Sequence, residues 1–172
     1  MVKWIVYIPN AQERAVKMEL RFIKWEAEVP AGCVEIFYHS EIYDRYFRAE
    51  GKLARVLQRA AEAGELYLAL DPQDRPLGVL KMSMRGFCGL YPYLGLLGIH
   101  PDSRGLGVGS FMLRQAEVLA RESGAKRITL MVADFNRRAM GLYEHLGYRE
   151  MGRFPGAVLP DVAEVLMVKD LV

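Results

Sequence analysis

Hydrophobic and polar positions first alternate along the chain, then fall into a longer period, then alternate again. Met18, Leu20 and Phe22 alternate with Lys17, Glu19 and Arg21, a period of two that predicts a half-buried strand. Val2–Ile8 reads as a shorter strand before it, closed by a Pro-Asn turn. From Ala31 to Ala63 the period becomes helical, through Val34, Phe37 and Tyr38, then Ile42, Tyr43, Tyr46 and Phe47, then Leu53, Val56, Leu57 and Ala60. Gly51 and Gly64 punctuate this stretch into two or three helices. Leu66–Leu70, a turn over Asp71–Pro76 and Gly78–Arg85 predict a hairpin, with Gly86 and Gly89 in the next turn.

Tyr93–Ile99 is an apolar run without charge and predicts a buried central strand. His100–Gly109 is loop, and Ser110–Ser123 is a helix with Leu113, Ala116, Leu119 and Ala120 inward, stopped by Gly124. Ile128–Val132 is a second buried strand, and Arg137–Leu146 a short helix stopped by Gly147. Tyr148–Gly152 and Val162–Lys169 are final strands around a loop holding Pro155 and Pro160. The order predicts an α/β chain with a mixed sheet of the α+β kind and one parallel crossover at its centre. A length of 172 residues, 52% hydrophobic, predicts a single domain over 1–172.

Charge and cysteine usage narrow the function classes. With 23 basic against 21 acidic residues the net charge is +2, so no bulk field for nucleic acid or anionic membrane is expected. Cys33 and Cys88 form no CxxC pair, and His39, His100 and His145 form no HExxH-like pair, so no metal site is expected. Trp4–Ile8 is too short for a transmembrane helix and lacks a cleavage site, so a cytoplasmic protein is the expectation.

Glycine usage locates the candidate chemistry. Seven of the 16 glycines lie between Gly86 and Gly109, where ordinary usage of about 7% predicts about two. The run Arg104-Gly105-Leu106-Gly107-Val108-Gly109 enters a helix, where unpaired N–H groups and the helix dipole suit a phosphate. No Walker lysine follows Gly109, the GxGxxG dinucleotide spacing fails at Ser110, and no GxSxG elbow is present. On spacing alone, a plain structural turn and a nucleotide-binding loop both remain open.

Arg104, Gly107 and Gly109 meet the pattern [RQ]xxGxG/A, after a strand ending Leu97-Gly98-Ile99-His100-Pro101. Asn136, Ala139, Leu142, Tyr143, Gly147 and Tyr148 meet NxxAxxLYxxxGF/Y further on. Two motifs in this order resemble the GNAT family of N-acetyltransferases, over about Gly78–Lys169, and the likeness is weak before Ala31. The resemblance implies an acyl-CoA N-acyltransferase fold, a mixed sheet splayed between two parallel strands (here Tyr93–Ile99 and Ile128–Val132) with helices on both faces. It implies acetyl-CoA as cosubstrate and a primary amine as acceptor. The pyrophosphate would sit on N–H groups of Arg104, Gly105, Leu106, Gly107, Val108 and Gly109. Pantetheine would pair with the backbone of Leu97 and Ile99 across Gly98, and the Leu97 N–H would hold the thioester oxygen. Asn136 would hydrogen-bond the cofactor, and Tyr143, two helical turns on, would protonate the departing thiolate. Arg104, Arg137 and Arg138 would be available to phosphates, although Arg137 and Arg138 also read as a solvated first turn.

The sequence departs from the family in one respect. Many members carry a glutamate near the start of the strand before the loop, as base for the amine, whereas Tyr93 stands there and no carboxylate occurs from Arg85 to Ile99. Either Glu35, Glu41, Asp44 or Glu50 acts through water, or the amine has a low pKa. A non-catalytic acyl-CoA-binding module is the competing expectation. Residues 1–17 fall outside the family pattern and are expected to add an edge strand or a homodimer contact.

Overall fold

The computed structural model describes residues 3–8 and 16–171. Its elements are β1 (Lys3–Ile8), β2 (Val16–Trp25), α1 (Ala31–Glu35), α2 (Glu41–Tyr46), α3 (Lys52–Glu62), β3 (Leu66–Leu70), β4 (Pro76–Phe87), β5 (Tyr91–Ile99), α4 (Val108–Glu122), β6 (Arg127–Ala133), α5 (Arg137–His145), β7 (Arg149–Pro155) and β8 (Ala163–Asp170). Strands are hydrogen-bonded in the order β1-β2-β3-β4-β5-β6-β8-β7. The predicted class holds: β5 and β6 run parallel, while β1–β2, β2–β3, β3–β4, β6–β8 and β7–β8 are antiparallel. The expected Val2 start and the Pro-Asn turn lie outside the described residues.

Contacts divide the chain into two compact units, one of 1–81 with 96–113 and one of 82–95 with 114–172. In the first, α1–α3 and β3 enclose a core of Cys33, Ile36, Phe37, Leu53, Leu57, Ala60, Ala61, Leu66 and Leu68. The helix breaks fall where glycine and serine place them: Gly51 begins α3 at φ 65°, and the Ser40 hydroxyl caps α2 by accepting from Tyr43 N–H. β1 pairs with β2 from Lys3↔Arg21 to Ile8↔Val16 and ends the strand order, so the N-terminal segment does add an edge strand.

The hairpin turn between β3 and β4 is tied by one side chain. Asp71 Oδ1 accepts from the N–H groups of Gln73 and Arg75 at 2.9 Å each, and Oδ2 from Arg75 Nε at 2.6 Å. Burial alone would raise the Asp71 pKa, but the bonds from Arg75 and Gln73 outweigh it and hold the carboxyl below its ordinary value. A depressed folded pKa means stability is present above the unfolded value, near 3.9, and is lost as pH falls through the folded one. Asp71→Asn is therefore expected to lower unfolding free energy by about 1–3 kcal/mol at pH 7, with the gap to wild type closing below about pH 4. Urea melts at pH 7 and pH 3 measure both.

The second unit holds the parallel pairing, over Tyr93↔Thr129 and Leu94↔Leu130, and the antiparallel ladder from Arg127↔Asp170 to Ala133↔Glu164. The Thr129 hydroxyl donates to Pro92 O at 2.8 Å and pins the two parallel strands together. Three expectations change here. β5 is not buried throughout but alternates, with Pro92 and Leu94 buried and Gly95 exposed. Gly86 belongs to β4 rather than the turn, because a Cβ there would lie 2.8 Å from Tyr93 Cβ. Glu117 of α4 is buried, held by Lys169 Nζ at 2.7 Å, whereas Leu119 is only half-buried.

Candidate active site

In the first unit β5 ends at Ile99 and the chain turns through a short 3-10 helix, Pro101–Ser103, into the glycine loop. Gly105 and Gly107 sit at φ 81° and 80°, a region closed to most side chains, and each reverses the chain just before α4. The first helical bond is Phe111 N–H to Gly107 O at 2.9 Å. Helix α4 thus begins at Val108, two residues ahead of the predicted start, with Gly109 already helical.

The donor set of the loop is narrower than the sequence implies. Arg104 N–H donates to Pro101 O at 3.2 Å and Leu106 N–H to Ser103 O at 3.3 Å, so both amides are engaged in turns. Among the described residues no protein acceptor takes the N–H of Gly105, Gly107, Val108, Gly109 or Ser110. Five amides at the positive end of a helix of 15 residues form an anion cradle. Ser110 is the member that sequence reasoning missed; its only signal is a place within the first three helical residues. A Cβ on Gly105 would meet nothing within 4 Å, so the space beside the loop is open.

The Arg104 guanidinium is not presented as a separate phosphate ligand. Its Nε donates to Ile99 O at 3.1 Å and its Nη2 to Ile36 O at 3.4 Å. Beside it, Gly98 lies so close under Phe37 that an added Cβ would be 2.3 Å from the ring Cζ. Leu97 and Ile99 are half-buried on the same strand. Glu35, Glu41, Asp44 and Glu50, the four remote candidates for a base, are all exposed.

In the second unit Asn136 and Tyr143 both belong to the α5 segment. Asn136 caps the helix, its Oδ1 accepting from Ala139 N–H at 3.2 Å. Its carbonyl oxygen is thus committed, and the side-chain NH2 is what it has to offer a ligand. Arg137 and Arg138 follow it, both exposed in a first turn that carries no acidic residue. Tyr143 is 8% exposed and packs its ring 5.8 Å from that of Tyr148. Burial, with a smaller contribution from the Tyr93 phenol, pushes the Tyr143 pKa up to about 12, so the phenol keeps its proton at any physiological pH. Tyr93 is raised as well, by burial and then by the negative charge of Glu164 on β8. No motif marks Glu164, which comes near Tyr93 only through strand pairing. Cys88 sits exposed in the turn after β4, and Cys33 is buried with its thiol pushed up to about 12 by desolvation, so Cys33 is no activated nucleophile.

A mixed sheet whose strand β5 feeds a glycine turn, with unengaged amides opening the next helix, defines an α/β protein with donors at that turn of the kind an anion takes. The profile of the Acetyltransferase (GNAT) family matches residues 34–148, and the chain belongs to that family. Over 64 residues it is 34% identical to the thialysine N-epsilon-acetyltransferase of Bos taurus, a match covering 37% of this chain and 38% of that one. Over 88 residues it is 31% identical to the peptidyl-lysine N-acetyltransferase YjaB of Escherichia coli K12, covering 51% and 52%. The matched region thus spans about half or less of these relatives. A solved aminoglycoside 6'-N-acetyltransferase complexed with coenzyme A has the same fold, with a TM-score of 0.65 at 17% identity, over 88% of this chain and 97% of that one. Among the described residues no helix is long and apolar enough to cross a membrane.

Proposed function

We propose that the protein transfers an acetyl group from acetyl-CoA to a primary amine by direct attack of the amine on the thioester. The unengaged amides of Gly105, Gly107, Val108, Gly109 and Ser110 carry this reading. A pyrophosphate takes such donors without displacing any protein bond, and charge-assisted bonds to an anion are the strong kind. Leu97, Gly98 and Ile99 would offer backbone to the pantetheine arm, and the Leu97 N–H would hold the oxyanion of the tetrahedral intermediate. Lysine-like amines, which the names of two relatives mention, are the acceptors to try first. The reading treats residues 1–172 as one acetyltransferase domain in the cytoplasm, where unpaired Cys33 and Cys88 suit a reducing medium. It gives edge strand β1 to a second copy as a homodimer contact.

Attack forms the N–C bond and places the charge on the carbonyl oxygen; collapse breaks C–S and leaves a thiolate. Tyr143 would donate its proton toward that sulfur. Against a thiol near 8.5, a phenol at about 12 is the weaker acid, so full transfer is uphill by about 5 kcal/mol before the thiolate's own surroundings contribute. The useful moment is therefore the transition state, where a short O–H···S bond grows as charge develops on sulfur. Asn136 would give its side-chain NH2 to the cofactor while its oxygen caps α5.

β5 carries no carboxylate, the four remote acids are solvated, and Glu164 near Tyr93 is buried, so the amine is expected to arrive already neutral. The logarithm of kcat/KM should then rise with slope one up to the pKa of whichever amine is used, and show no fall attributable to Tyr143 below about pH 12. A break that stays at one pH when the amine is changed would instead reveal an enzyme base. Binding is tested by thermal denaturation. Coenzyme A at a hundred times its Kd should add about 2.7 kcal/mol of stability, and ATP or NAD at the same concentration should add nothing comparable.

A further inference from the structure

Helix α1 ends at Glu35, and the residues after it are fastened to the end of β5 by two contacts that the proposed chemistry does not require. Phe37 is 3% exposed and brings its ring tip to Gly98, closer than any side chain at that position would allow. Arg104 holds Ile99 O with Nε and Ile36 O with Nη2, using one planar fork on the strand end and on the residue that follows α1. From Phe37 the connection continues to α2. Phe37 O accepts from Ser40 N–H at 3.3 Å and from the Ser40 hydroxyl at 2.5 Å, and that hydroxyl accepts from Tyr43 N–H at 3.2 Å as the cap of α2. His39 between them sits at φ 56°, a left-handed conformation uncommon for a residue with a side chain. The aromatic pair Tyr38–Tyr43, with ring centroids 5.1 Å apart, rides on this connection.

We propose that Arg104 and Phe37 are positioning residues that latch the segment Ile36–Tyr46 to β5 and to the glycine loop, so that a ligand held by the loop fixes where α2 and its aromatic side chains stand. This rests on the reading of the loop as the pyrophosphate site. The Arg104 amide is engaged with Pro101 O whatever the side chain does, so the guanidinium can be removed with the turn intact. Coupling then follows from shared parts: the residue that shapes the start of the loop also carries the bond to Ile36. A loop ordered by its ligand holds the guanidinium still, and a fixed guanidinium holds the carbonyl of Ile36.

Hydrogen exchange with coenzyme A, read by peptide mass spectrometry, tests this on the whole chain. In the wild type the ligand should slow exchange in peptides covering 104–110 and also in those covering 36–46. In Arg104→Met the loop should remain protected by saturating coenzyme A, while protection over 36–46 falls at least about fivefold. Arg104→Lys, which reaches one carbonyl at a time, should fall between the two, and Phe37→Leu should lose the protection over 36–46 with the arginine present. With an amine that the wild type acetylates, Arg104→Met should raise the amine KM about tenfold while the Kd of coenzyme A changes less than about threefold. Equal protection of 36–46 in wild type and Arg104→Met, or protection of the loop alone in the wild type, overturns the latch and leaves the pyrophosphate site standing. Absence of any response at 104–110 in the wild type overturns the pyrophosphate site and the latch with it.

Discussion

Replacing Gly107 by valine is expected to weaken coenzyme A binding about a thousandfold. Two costs add. Gly107 lies at φ 80°, where a β-branched residue costs about 1–3 kcal/mol and the chain escapes by rotating the peptide that precedes α4. That rotation turns the N–H groups of Gly107 and Val108 away from the anion, and each charge-assisted bond lost is worth about 1.5–3 kcal/mol. Gly107 also supplies the carbonyl that takes the first helical bond from Phe111, so the valine frays the turn that carries the other donors. Titration calorimetry on a variant whose far-UV spectrum matches wild type separates loss of the site from loss of the fold. Gly105→Ala makes the comparison sharper. Its Cβ meets no protein atom within 4 Å, so whatever affinity it loses beyond backbone strain comes from crowding the ligand. A Gly107→Val protein that binds coenzyme A within threefold of wild type would remove the loop from the site.

Tyr143→Phe is expected to lower kcat by about a hundredfold, the lower end of what a positioned general acid contributes, because the thiolate leaves partly unaided. The Kd of coenzyme A should change little, since the ring stays and keeps its packing against Tyr148. Loss of the hydroxyl should also steepen the dependence of kcat on the leaving group. A weakly basic thiolate needs less help than a strongly basic one, so a thioester of lower thiol pKa should recover part of the deficit. The packing against Tyr148 at 5.8 Å survives the substitution, and the melting temperature reports on it. An unaltered kcat with a normal melt would end the assignment of Tyr143 as acid.

Local patterning located most of the elements because their stops are chemical. Leu66–Leu70 is a strand to the residue, fenced by Gly64 at φ 66° and by the Asp71 turn. Helix α5 ends where Gly147 at φ 89° demands it, within a residue of the reading from sequence. The start of α4 was harder, since glycines at 107 and 109 read as loop, and only the bond from Phe111 to Gly107 O turns the second of them into helix. The uncharged run through β5 looked buried on every face, yet Gly95 is exposed and the strand alternates. What no local pattern contains is the partner of a long side chain. Nothing local to Glu117 points to Lys169, 52 positions away, whose Nζ holds it in the structure. Arg104 reads as a phosphate ligand until Ile36, 68 positions away, takes its Nη2. The two motifs could be read from sequence because their spacing is local; the contacts that hold them rigid could not.

The central claim is transfer, and the direct measurement is product formation. Purified protein is incubated with acetyl-CoA and a panel of primary amines, lysine side chains and lysine analogues among them. Free coenzyme A thiol is followed over time, and the amines are weighed by mass spectrometry. The account predicts that thiol is released in step with the gain of one acetyl group on an amine, at a rate that Tyr143→Phe lowers and Gly107→Val abolishes. Binding of coenzyme A with thermal stabilisation, but no amine in the panel acetylated and thiol release no faster than without protein, would contradict it and make the chain an acyl-CoA-binding module.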